Sequence, residues 1–96
     1  MKCKGEFIYR GMERREGGNF INDKGQTISY KPAYKIKVDE VTEEGVFERI
    51  LKIEEDKAQL INDFRVLDIY QKINITFNVV IYNTRVVLVP EVIELV

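Results

Sequence analysis

Apolar and polar positions alternate most clearly near the C-terminal end, where Ile73, Ile75, Phe77, Val79 and Ile81 are separated by Asn74, Thr76 and Asn78. A period of two predicts a strand with one buried face. Residues 27–39 alternate as well. Tyr30, Pro32, Tyr34, Ile36 and Val38 share one parity, and Ser29, Lys31, Ala33, Lys35, Lys37 and Asp39 the other. This predicts a strand with one apolar and one basic face. Pro32 has no N–H for a ladder bond, so it marks an edge or a bulge. A bulge there shifts the parity and turns Tyr30 toward the lysine side instead of the core.

Other segments fit between these two. Residues 3–12 mix aromatic, branched and charged side chains, and Gly11 marks a bulge or bend in a long first strand. Residues 41–45 read as a turn and residues 46–53 as a third strand. Residues 82–84 read as a turn before a last strand, Arg85 to Val89, which runs to Pro90; residues 91–96 extend it as an edge or a tail. Between residues 16 and 26 the run Gly17-Gly18-Asn19-Phe20-Ile21-Asn22-Asp23-Lys24-Gly25 is rich in turn formers and reads as a long hairpin loop. Phe20 and Ile21 within it either fold back on the body or offer apolar contact to a ligand.

One segment has helical period. Leu60, Ile61, Phe64 and Leu67 form an apolar stripe, and Asp56 with Gln59 looks like a capping box at its start. The stripe reads as core packing. The order of three strands, a helix and two strands predicts a mostly β domain over residues 1–96: a five-stranded OB-type Greek-key barrel with one short helix between strands 3 and 4. An antiparallel sheet with one helix packed on a face is the competing arrangement. In OB barrels the ligand face centres on strands 2 and 3, flanked by the loops joining strands 1 and 2 and strands 4 and 5.

Composition narrows the chemistry. With 96 residues, 45% of them hydrophobic and 32% charged, the chain has the content of one globular domain. Histidine is absent, which removes the usual general base near neutral pH, the commonest zinc ligand and every Ser-His or Cys-His nucleophile. No catalytic residue, metal site or cofactor is expected. The lone Cys3, an N-terminal segment without an apolar stretch, and apolar runs far below the ~20 residues of a membrane span point to a cytoplasmic protein.

Charge is divided unevenly. Residues 1–37 carry nine Lys or Arg against four Asp or Glu, and residues 38–96 carry six against twelve. The basic first third suits an anionic partner, because cations gain by neutralising phosphates and releasing counterions. Single-stranded nucleic acid is held by a cationic groove with aromatic rings on which bases stack. The candidate residues are Arg10, Arg14, Arg15, Lys24, Lys31, Lys35 and Lys37 with the aromatics Phe20, Tyr30 and Tyr34; Arg49 and Arg85 extend the track if the fold brings them alongside. Each lysine also has a plain role in keeping a strand edge soluble. Tyr9, Phe47 and Phe77 read as core or subunit-contact residues, and Tyr82 as either those or part of the site.

The pattern from Gly5-Glu6-Phe7 through the Gly-rich hairpin, Lys24-Gly25-Gln26 and Ser29-Tyr30 to Tyr34, then Asn74-Ile75-Thr76-Phe77 and Arg85-Val86-Val87-Leu88-Val89-Pro90, resembles the small single-stranded-DNA-binding OB proteins of filamentous phages and mobile elements. The resemblance implies a non-catalytic homodimer that coats single-stranded DNA, or RNA, during replication or transfer, with Arg14, Arg15, Lys24, Tyr30 and Tyr34 among its cationic and stacking residues. The alternative is a protein-interaction module that uses the acidic surface around Glu40, Glu43, Glu44, Glu54, Glu55 and Asp56.

Overall fold

A long first strand organises the molecule. In the computed structural model, which describes residues 2–96 and only the backbone of Tyr82, β1 (Lys2–Arg15) pairs with two neighbours at once. Its first half, Lys2 to Ile8, pairs antiparallel with β6 (Lys72–Tyr82). Its second half, Glu6 to Arg15, pairs antiparallel with β4 (Ala33–Thr42). The change of partner needs a bend. The β1–β4 register shifts between Tyr9 and Gly11, and Gly11 has φ +146°, a conformation that a missing side chain permits.

β5 (Gly45–Glu54) follows β4 through the two-residue turn Glu43-Glu44. β7 (Arg85–Leu95) follows β6 through Asn83 and Thr84, both at positive φ (47° and 64°), as a tight hairpin with right-handed strand twist requires. The strand order is β5-β4-β1-β6-β7, all antiparallel. The edge strands β5 and β7 curl toward each other, with Arg49, Ile50, Val86 and Val87 lining the cleft between them. No ladder joins the two edges, so the sheet is not closed into a barrel.

Two sequence expectations are corrected. The segment 16–26 is not irregular throughout, because Gly18–Ile21 forms a strand. It contributes to a separate two-stranded ribbon, β2 (Gly18–Ile21) with β3 (Thr27–Tyr30). The single strand expected over residues 27–39 is therefore broken at Lys31 and Pro32. Proline removes a ladder donor there. Close packing fixes the break, since a Cβ on Gly17 would lie 2.8 Å from the Tyr30 carbonyl oxygen and 2.9 Å from Pro32 Cδ.

The helix α1 (Ala58–Arg65) begins later than a capping box at Asp56 implies. Lys57 is the N-cap residue and supplies no side-chain bond, while Gln59 Nε2 donates to Asp63 Oδ1 at 3.0 Å instead of reaching back. A turn in which Lys57 N–H donates to the Glu54 carbonyl leaves Asp56 outside the cap position. The apolar stripe behaves as expected. Leu60, Ile61 and Phe64 are buried, and Leu67 packs against them.

The core lies between α1 and one face of the sheet. Phe7, Tyr9, Ile36, Val38, Leu51, Ile53, Ile73, Ile75 and Phe77 supply the sheet side. Phe7 and Phe77 meet edge to face with centroids 5.8 Å apart, and Tyr9 packs on Phe64 at 6.3 Å. Alternation on β6 holds as far as Val79, which still packs against the core. Among the described residues the β1–β6 ladder reaches Lys2 opposite Asn78, and Ile81, expected on the buried face, is exposed on a projecting hairpin. Pro90 is buried opposite Phe77 on the edge strand β7, at a register shift that leaves Glu91 as the extra residue. That is where strands tolerate proline. Phe47 on the edge strand β5 is half-exposed rather than core.

Burial raises the Tyr9 hydroxyl above its ordinary ionisation. With the folded value above the unfolded one, the stabilisation is complete below about pH 10 and is lost as pH rises through the folded value. The denaturant midpoint of the wild type should therefore drop more steeply above about pH 10 than that of Tyr9→Phe. Parallel pH profiles for the two proteins would contradict this.

Candidate nucleic-acid interface

The Glu43-Glu44 turn sets the register of the β4–β5 hairpin by pairing Thr42 with Gly45. From there the ladder places Lys35 directly across from Lys52 and Lys37 across from Ile50. These positions alternate with the core residues Ile36, Val38, Leu51 and Ile53, so they lie on the face of the sheet turned away from α1. Lys37 and Lys52 are exposed and Lys35 is half-buried. On the β1 side Glu13 lies across from Lys35 and Gly11 across from Lys37. Among the described residues none of these three lysines makes an ion pair. Like charges directly across a ladder repel, so the Lys35–Lys52 pair, with Glu13 opposite Lys35 alone and not in ion-pair contact, favours an external anion.

The arginines are used differently. Arg10 Nη1 donates to Asp39 Oδ2 at 2.8 Å, which offsets the Asp39–Glu48 cross-strand repulsion and ends the basic row. The Asp39 hydrogen bond and charge push the Arg10 guanidinium still further above its ordinary value. Arg14 contacts Glu16 and also Glu55 at 3.2 Å. Arg49 pairs with Glu40 at 3.3 Å. Glu40 and Glu55 are thus engaged within the fold, which thins the acidic surface expected around them. Arg85 stands exposed on the β6–β7 hairpin, opposite Tyr82 in the ladder.

Tyr34 and the lysines of β4 occupy opposite faces. Tyr34 shares parity with Ile36 and Val38 and packs against the core, and Arg65 Nη2 reaches its hydroxyl at 3.4 Å with the guanidinium 6.0 Å from the ring centre. Lys31 lines a concavity with Pro32, Glu54, Glu55 and Asp56, apart from the lysine row.

The ribbon carries the remaining candidates. Its ladder pairs Gly18 with Tyr30 and Phe20 with Ile28, so Phe20, Ile28 and Tyr30 share one face. Phe20 and Ile21 are 51% and 72% exposed, which resolves their alternatives against folding back on the body. Phe20 and Tyr30 are 6.2 Å apart, and the Arg15 guanidinium sits 5.1 Å over the Tyr30 ring. The ring lies across Gly18, where a Cβ would be 2.8 Å from Tyr30 Oη. At the tip Asn22 Oδ1 accepts from the amides of Lys24 (3.0 Å) and Gln26 (2.9 Å), and Gly25 adopts φ +76°. A side-chain clamp and one left-handed residue thus fix the turn that presents Lys24.

Lys52 was absent from the residues singled out by sequence, although a signal existed. Once the turn is placed at residues 43 and 44, counting outward along both strands brings Lys52 opposite Lys35. Among the described residues no cluster of His, Cys, Asp or Glu is placed to hold a metal ion, and no helix is long and apolar enough to cross a membrane. Compared with protein-family models, curated proteins and solved structures, the chain finds no match.

Proposed function

We propose that this protein binds single-stranded nucleic acid without catalysis, and that it coats displaced DNA during replication or transfer of a phage or mobile element. The observation that carries the reading is the lysine row. Among the described residues Lys35 faces Lys52 beside Lys37 with no ion-paired acid, on a strand that follows directly from an exposed aromatic ribbon. Phosphates suit the first feature and unstacked bases the second. The strand order, the near approach of β5 and β7, and the helix between the third and fourth strands of the sheet suit an OB-type Greek-key arrangement with its seam open. On that reading β4 and β5 are the ligand strands and the ribbon is the loop between strands 1 and 2.

A homodimer fits the hairpin beyond Asn78. Val80 and Val87 face one side of it and Ile81 and Val86 the other, all exposed. Apolar side chains on both faces of a projecting hairpin call for cover, and a second copy supplies the same patch reciprocally.

The chain has five tyrosines and no tryptophan, so intrinsic fluorescence reports tyrosine stacking. Titration with a short oligothymidylate should quench it, and Tyr30→Phe should keep affinity while Tyr30→Ala weakens it by about 5- to 100-fold. Absence of quenching and of binding at low salt, for both DNA and RNA oligonucleotides, would contradict the proposal.

A further inference from the structure

Tyr70 lies in the segment between α1 and β6 and belongs to none of the alternating patterns. Its backbone adopts φ 71°, a left-handed conformation that is uncommon for bulky residues. Two backbone bonds hold it there. Tyr70 N–H donates to the Tyr9 carbonyl at 2.6 Å, and Tyr9 N–H donates to the Gln71 carbonyl at 2.9 Å. These bonds continue the β1–β6 ladder one step past Lys72 opposite Ile8 and set Tyr70 beside Arg10.

The side chain does not account for the strain, because Tyr70 is 67% exposed and contributes nothing to the core. Strained backbone that packing does not require is found preferentially at sites of function. One side of the ring is occupied by the Arg10 guanidinium, 5.1 Å from the ring centre, itself anchored to Asp39 at 2.8 Å. Asp39 shares the outward parity of Lys35 and Lys37 on β4. Gly11, opposite Lys37, adds no side chain between them, and Ile69 borders it, with Cδ1 4.0 Å from where a Cβ would stand. The aromatic ring and the lysine row therefore share one continuous outer surface.

Resting on the reading of this face as a single-strand binding surface, we infer that Tyr70 is a second base-stacking platform, pre-oriented by Arg10 and separate from the ribbon. A strand whose phosphates follow Lys35, Lys52 and Lys37 places a base on the open side of the Tyr70 ring, while Arg10 backs the other. Because Asp39 already neutralises Arg10, this platform supplies stacking and little net charge.

The test measures oligothymidylate affinity across a salt series, together with thermal midpoints, for the wild type, Tyr70→Phe, Tyr70→Ala and Tyr70→Asn. Asparagine tolerates the left-handed conformation, so Tyr70→Asn keeps the backbone while removing the ring. Tyr70→Phe should bind within about twofold of wild type, and both ring-removing variants should bind roughly 5- to 100-fold more weakly. The thermal midpoint of Tyr70→Asn should not fall, and the slope of log affinity against log salt should stay unchanged in all variants, since every phosphate keeps its lysine. If the wild type binds and Tyr70→Asn binds equally well, the platform is refuted and the lysine face stands. A loss of binding accompanied by a falling midpoint in Tyr70→Asn would make the residue structural and also overturn the inference. A wild type that binds no oligonucleotide refutes both.

Discussion

Phe64→Ala is expected to destabilise the protein by about 3–5 kcal/mol. The side chain is fully buried and packs on Tyr9 at the centre of the cluster between α1 and the sheet. Leu60 and Ile61 are buried beside it, and this packing rather than the helix's own backbone holds α1 in place. It is eight residues long and has no side-chain N-cap bond, and isolated helices of such length are unstable in water. A loss of that size is a large share of the ~5–15 kcal/mol typical of a domain, so the variant should lose its cooperative thermal transition or show it far below that of the wild type. Val66→Ala, one position past the helix and 80% exposed, should stay within about 0.5 kcal/mol. Similar midpoints for the two variants would show that α1 is not integral to the core.

Lys52→Glu is expected to move stability and binding in opposite directions. It converts the repulsive Lys35–Lys52 pair into an attractive cross-strand pair, which should stabilise the fold by about 0.2–1 kcal/mol. On the proposed function it also removes a cation that faces phosphate and adds a repelling charge, which should weaken oligonucleotide binding by roughly tenfold or more at low salt. Denaturant midpoints and titrations on the same preparation separate the two effects. A lysine present only for solubility would leave affinity where it was, and a residue needed for folding would lose stability and affinity together.

Much of the body was legible because burial imposes period. Ile73, Ile75 and Phe77 alternate because α1 covers one face of the sheet, and Leu60, Ile61 and Phe64 recur at helical spacing for the complementary reason. Where burial ended, the pattern misled. Ile81 continues the alternation of β6 but is exposed on the projecting hairpin. β2 was unreadable as a strand because its four residues are almost wholly exposed and carry no buried face to impose a period, and β3, equally exposed, reads only as the start of a strand running on through β4. The basic side chains of the first third were visible, but composition does not assign faces. Tyr34 and Lys35 are neighbours in sequence and lie on opposite sides of β4, whereas Lys52, seventeen positions on, stands directly across from Lys35. Tyr70 gave no pattern signal, since its placement depends on a left-handed residue and a ladder to Tyr9.

The central claim is that the outer face of β4 and β5 binds the phosphates of a single strand through Lys35, Lys37 and Lys52. Its most direct test is fluorescence anisotropy of a labelled single-stranded oligonucleotide over a salt series, comparing the wild type with the triple variant Lys35→Ala, Lys37→Ala, Lys52→Ala. Binding to the wild type should fall linearly in log affinity against log salt, and the triple variant should bind more weakly with a slope shallower by about 2, at ~0.7 for each phosphate no longer neutralised. No binding by the wild type at low salt, or an unchanged slope in the triple variant, would contradict it.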